Sequence, residues 1–138
     1  MSQIEVDKVI PQSGTNLQIG EAGDTINLTT ATVNLPTGVG GTAWQAVKTA
    51  NFTAVAGEGY FVNTTGNVIT ATLPASATIG NEVSIIDYAG TADTNNITIG
   101  RNGHNIQGAA SDMTVSTERA AFTLVYVDAT QGWLLKDK

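Results

Sequence analysis

The chain is short of the charged residues from which solvent-facing helices are made. Lys, Arg, Asp and Glu together supply 13% of its 138 residues, about half of the roughly 25% usual in a soluble domain. Their place is taken by 21 Thr, 11 Asn and 15 Gly. β-Branched Thr suits a pleated strand, and Asn with Gly suits the turns between strands. With 41% hydrophobic residues there is apolar surface enough for a core. The expectation is an all-β protein.

From residue 51 onward the period is two. Ile69, Ala71 and Leu73 alternate with Thr70 and Thr72, Ile97 and Ile99 flank Thr98, and Met113 and Val115 flank Thr114. Residues 82–88 are apolar on both faces through Val83, Ile85, Ile86 and Tyr88, the mark of a central strand. Segments 59–63, 120–127 and 132–135 complete the series. Short strands separated by frequent turn signals predict a small jelly-roll-like β-sandwich head over 51–138.

Residues 1–43 differ, for they hold no aromatic side chain. Strand-like pieces at 5–10, 16–19 and 25–35 carry Val6, Val9, Ile10, Leu17, Ile19, Ile26, Leu28, Val33 and Leu35. Val33 follows Leu28 by an odd step, which swaps the side-chain face and predicts a turn within 29–32. Ordering a residue costs roughly 1–2 kcal/mol of backbone entropy, while burying a Val, Leu or Ile returns roughly 1.5–3 kcal/mol. So thin an apolar stripe repays that cost when sister copies share it and pair its edges. The expectation is a homotrimer held by a β-structured arm, with a disordered tail as the alternative. The glycines of 38–41 read as a hinge, and 44–50 as a junction where a helical turn fits and Trp44 packs.

Net charge of −6 and a pI near 4.4 argue against nucleic acid, which needs a basic surface for counterion release. They also disfavour an anionic membrane. No stretch is long and apolar enough to insert in a bilayer, and without Cys there is no disulfide, thiolate nucleophile or Cys-bound zinc. The first residues show neither a basic n-region nor an apolar h-region, so synthesis in a cytosol is expected.

Several stretches resemble a known group. Val6-Asp7-Lys8-Val9-Ile10-Pro11-Gln12-Ser13-Gly14-Thr15, then Leu17-Gln18-Ile19-Gly20 and Gly23-Asp24-Thr25-Ile26, resemble N-termini of virion structural proteins of marine tailed phages, cyanophages among them. Gly59-Tyr60-Phe61-Val62-Asn63, Thr72-Leu73-Pro74-Ala75 and Val83-Ser84-Ile85-Ile86-Asp87-Tyr88-Ala89-Gly90-Thr91 are similar to the C-terminal β-module of phage tail-fibre proteins. So are Asn95-Asn96-Ile97-Thr98-Ile99-Gly100-Arg101-Asn102-Gly103, Ile106-Gln107-Gly108 and Thr123-Leu124-Val125-Tyr126-Val127 before Gly132-Trp133. The resemblance implies a trimeric, non-enzymatic virion component, made in the host cytoplasm and placed on the surface of the phage tail or capsid. Such fibres usually carry a long shaft; this chain reads as an attachment arm plus a head.

Residues with possible chemistry have plainer readings. His104 sits in a glycine-bounded polar turn, with no Cys and no Gly-x-Ser-x-Gly context to make it a catalytic base; three copies at a threefold axis would be its route to a metal. Asp87, Asp93, Asp112 and Asp128 offer carboxylates for glycoside hydrolysis, but their contexts suit turns. Asp93, Asn95 and Asn96 lack the twelve-residue calcium-loop pattern, and 38–41 lacks the Lys of a phosphate loop. Trp133 reads as core rather than as a sugar platform. No catalytic residue, cofactor or metal is expected. The polar loops at 89–96 and 100–108 are the favoured receptor-contact region, with Asp93, Asn95, Asn96, Arg101, Asn102 and His104 as its candidates.

The functional expectation is a short tail-fibre or tip-like trimer that joins other virion proteins and contacts a host-surface glycan or protein. Capsid decoration or a head fibre is the alternative, and a polysaccharide depolymerase the third reading.

Overall fold

The computed structural model describes residues 41–136. The arm positions Val6, Val9, Ile10, Leu17, Ile19, Ile26, Leu28, Val33 and Leu35 lie outside the described residues. The chain divides into two compact units, Met1–Asn34 and Leu35–Lys138, and the second holds every described residue.

Among the described residues all regular structure is strand, which makes the protein all-β there: β1 (Ala43–Trp44), β2 (Phe52–Thr53), β3 (Glu58–Val62), β4 (Ile69–Thr72), β5 (Glu82–Asp87), β6 (Ile97–Gly100), β7 (Met113–Val115), β8 (Ala121–Asp128) and β9 (Gly132–Leu135). They form a five-stranded sheet in the order β1-β3-β5-β8-β9 and a four-stranded sheet in the order β2-β4-β6-β7.

The pairing departs from the expected jelly-roll. That fold is built from antiparallel strands, whereas β1, β3 and β5 run parallel in one sheet and β2, β4 and β6 run parallel in the other. Each odd strand of the first six crosses to the opposite sheet before the chain returns, so three successive turns of a coil stack on one another. A parallel neighbour requires such a crossover, and here the strand of the other sheet is part of it. Only the last third reverses: β7 pairs antiparallel with β6, β8 with β5, and β9 with β8.

Stacking puts like on like. Ile69 lies opposite Ile97 and Ala71 opposite Ile99, while Tyr60 lies opposite Ile85. These side chains face inward and meet Val62, Val83, Leu124 and Trp133 in the core between the sheets. Trp133 is fully buried, as its sequence reading anticipated, with the Tyr126 ring 5.5 Å away at 65°. Each fully buried large side chain contributes roughly 1.5–3 kcal/mol. On the outer side of the four-stranded sheet the register aligns Thr70, Thr98 and Thr114 in one row and Thr53 with Thr72 in the next.

The helical turn expected within 44–50 is replaced by extended chain. The N–H groups of Ala43, Gln45 and Lys48 donate to the carbonyls of Gly57, Gly59 and Phe61, and Lys48 forms a parallel bridge with Val62. Backbone groups that find partners along a neighbouring strand have none left for a helix.

Candidate functional site

The two loops favoured for receptor contact flank one short strand. Residues 88–96 lead into β6 and residues 101–112 lead out of it, so Asp93, Asn95 and Asn96 stand at one end and Arg101, Asn102 and His104 at the other. The four residues of β6 between Asn96 and Arg101 separate their backbones by about 16 Å.

Most of these side chains are tied to the scaffold. Asn95 Nδ2 donates to Thr64 O at 2.9 Å and Asn96 Nδ2 to Ala92 O at 2.8 Å. Thr64 and Thr91 hydroxyls, 2.9 Å apart, fasten the same loop to the previous turn of the coil. Asn102 adopts a left-handed conformation (φ 48°), and its Nδ2 donates to Leu73 O at 2.8 Å. His104 Nε2 lies 3.0 Å from Ala75 O; a carbonyl only accepts, so this nitrogen carries the proton. The Arg101 guanidinium donates to His104 O at 3.1 Å, and its backbone N–H donates to Asp112 Oδ1 at 2.9 Å. Asp93 is exposed, its carboxylate accepting only from the neighbouring Thr94 hydroxyl at 3.3 Å.

Of the carboxylates weighed for catalysis, Asp87, Asp112 and Asp128 serve the backbone in the same way. Asp87 is 2% exposed at the end of β5. Its Oδ1 accepts from Gly90 N at 3.1 Å, and its Oδ2 accepts from Ala92 N at 3.2 Å and Arg119 N at 3.1 Å. Arg119 returns the contact by donating to Tyr88 O at 2.8 Å. Asp128 Oδ1 accepts from Thr130 N and Gln131 N at 2.8 and 2.7 Å, holding the β8–β9 turn. Among the described residues no three His, Cys, Asp or Glu are grouped as metal ligands.

A cleft of about 530 Å³ opens at the end of the five-stranded sheet, lined in part by Glu58, Asn81, Glu82, Ser84 and Lys136. Glu82 pairs with Lys136 at 3.0 Å, an exposed contact worth no more than about 1 kcal/mol. Glu58 accepts from the Tyr60 hydroxyl, which itself accepts from Val55 N at 2.8 Å. Burial, with the hydrogen bond to Glu58 second, pushes Tyr60 up to about 12. The folded protein therefore holds this proton at a pH where the unfolded chain, titrating near about 10, has begun to lose it. Tyr60 should contribute fully to stability below about pH 10 and lose that contribution as the pH climbs to about 12. Urea midpoints measured across this range should fall, and Tyr60→Phe should flatten the fall.

The outer side of the five-stranded sheet is the feature that the sequence reading missed. Register places Trp44, Gly59, Ser84 and Thr123 in one row and Phe61, Ile86 and Ala121 in the next. Trp44 stacks on Phe61 with centroids 4.9 Å apart at 28°, yet remains 47% exposed. Its indole fits because Gly59 has no side chain; a Cβ there would lie 2.6 Å from Trp44 Cε3. The available signal was the both-face apolarity of 82–88, which pointed to burial but not to what covers the outward half.

No protein-family model matches the chain, and no curated protein matches it significantly.

Proposed function

We propose that the protein is a non-enzymatic structural component of a tailed-phage virion: a short, tip-like homotrimer whose arm fixes it to other virion proteins and whose β-domain faces the host surface. The observation that carries this reading is the use of its polar side chains. Asp87, Asn95, Asn96, Asn102 and Asp128 bond to backbone groups, which is how a scaffold spends such residues and not how a catalytic cleft does. The resemblance of the arm and the β-segments to phage virion proteins supports the same reading. Loops fixed this firmly present a pre-organised surface, so glycan or protein contact costs little ordering entropy.

Gold-labelled antibody against the full chain, applied to intact particles, tests this. Label at tail tips fits host contact, and label spread over the head fits capsid decoration. Particles without label, or release of reducing sugar ends from host envelope polysaccharide by the purified protein, would overturn the proposal.

A further inference from the structure

We propose that the outer face of the five-stranded sheet is where copies of this chain meet; the inference rests on the homotrimer reading and names its contact surface. Trp44 and Tyr88 are 47% and 51% exposed, and Phe61 and Ile86 between them are half-buried. Tyr88 follows Asp87, whose carboxylate points inward, so it continues the outward series of Ile86. Aromatic and aliphatic groups gathered on one face mark an interaction surface.

Two further observations select a second copy as the occupant. The chain carries a net charge of −6, which opposes self-association, but the two charged side chains that border these rows, Glu82 and Lys136, are opposite in sign and pair at 3.0 Å. Copies meeting here avoid their mutual repulsion. Two hydroxyls of the face are also already satisfied, because Ser84 and Thr123 bond each other at 2.9 Å. The face therefore sheds water without leaving those hydroxyls orphaned. Connectivity agrees: the 40 residues that precede Gly41 join the chain just before β1, whose Trp44 edges this face. Copies tethered through them reach one another at a high effective concentration. The outer face of the four-stranded sheet presents Thr70, Thr98 and Thr114 instead and stays in water.

The two tryptophans make the test direct. Trp133 is fully buried in the single chain and Trp44 is not, so acrylamide quenching of the full-length protein reports Trp44. At micromolar concentration Trp44 should be shielded. Ala121→Lys, a change at an exposed position, should restore quenching and shift dissociation of the trimer to higher protein concentration in light scattering. Thr98→Lys on the opposite sheet should do neither, and retained blue emission from Trp133 confirms that each variant folds. A wild-type trimer with quenchable Trp44, or one whose Trp44 stays shielded in Ala121→Lys, would overturn this face and leave the homotrimer standing. A shielded dimer would keep the face and remove the threefold reading. A wild-type monomer would overturn both.

Discussion

Replacing Asp87 with Ala should destabilise the β-domain by about 3–5 kcal/mol, close to the limit that a domain of this size survives. The carboxylate is buried and accepts from three backbone N–H groups. Two come from the turn that follows β5, and the third comes from Arg119, on the segment that leads into β8. One side chain thus fastens the last parallel turn of the coil to the antiparallel closing strands. Its removal leaves three donors without their acceptor, that of Ala92 buried and those of Gly90 and Arg119 part-buried, each costing up to roughly 1–3 kcal/mol before relaxation. Asp87→Asn keeps the shape but turns a donor toward these donors, so it should recover only part of the loss. Urea unfolding followed by Trp133 emission measures both. An Ala variant within about 0.5 kcal/mol of wild type would show that the hub is not needed.

Gly132→Ala should cost at least about 3 kcal/mol. Gly132 has φ 71°, where an L side chain is already strained, and a Cβ there would lie 1.9 Å from Asn105 O. That oxygen accepts from Trp133 N at 2.9 Å, so the obstacle is rigid backbone and not the end of a movable side chain. Relief requires β9 to separate from the 105–109 loop, taking with it the bridge between Ile106 and Trp133. Trp133 is among the largest fully buried side chains, which is why the effect should spread into the core. Gly66→Ala is the control, for nothing lies within 4 Å of its added Cβ and its φ is not in the left-handed region; it should fall within about 0.5 kcal/mol of wild type. Comparable urea midpoints for the two variants would contradict the contact geometry.

What the sequence disclosed follows from what its pattern encodes. Alternation assigns a face, so Ile69, Ala71, Ile97 and Ile99 were readable as core and the threonines between them as surface. The both-face apolarity of 82–88 correctly put β5 in the middle of its sheet. Alternation says nothing of strand direction, however, and the parallel coil was read as an antiparallel wrap. β1 and β2, two residues each, exist only because a parallel neighbour supplies their partners, so 44–50 read as a helical turn.

The candidate site was less legible for a related reason. A polar residue in a loop looks alike whether it awaits a ligand or holds a distant carbonyl. Asn102 bonds Leu73 and Asn95 bonds Thr64, partners about 30 positions away whose proximity only the fold creates. Asp87 looked like a strand-end turn residue, and part of that was right: Gly90 and Ala92 are local. Arg119 is not. Trp44, expected to pack in the junction after the hinge, stacks on a sheet face because Gly59 two strand positions before Phe61 leaves room for its ring.

The central claim is that copies of this chain assemble through apolar surface, and light scattering on the size-fractionated full-length protein at micromolar concentration tests it most directly. The account predicts a single species of three times the 14.2 kDa chain mass, persisting at high salt because few charges hold it together. A monodisperse species of 14.2 kDa under the same conditions would contradict it.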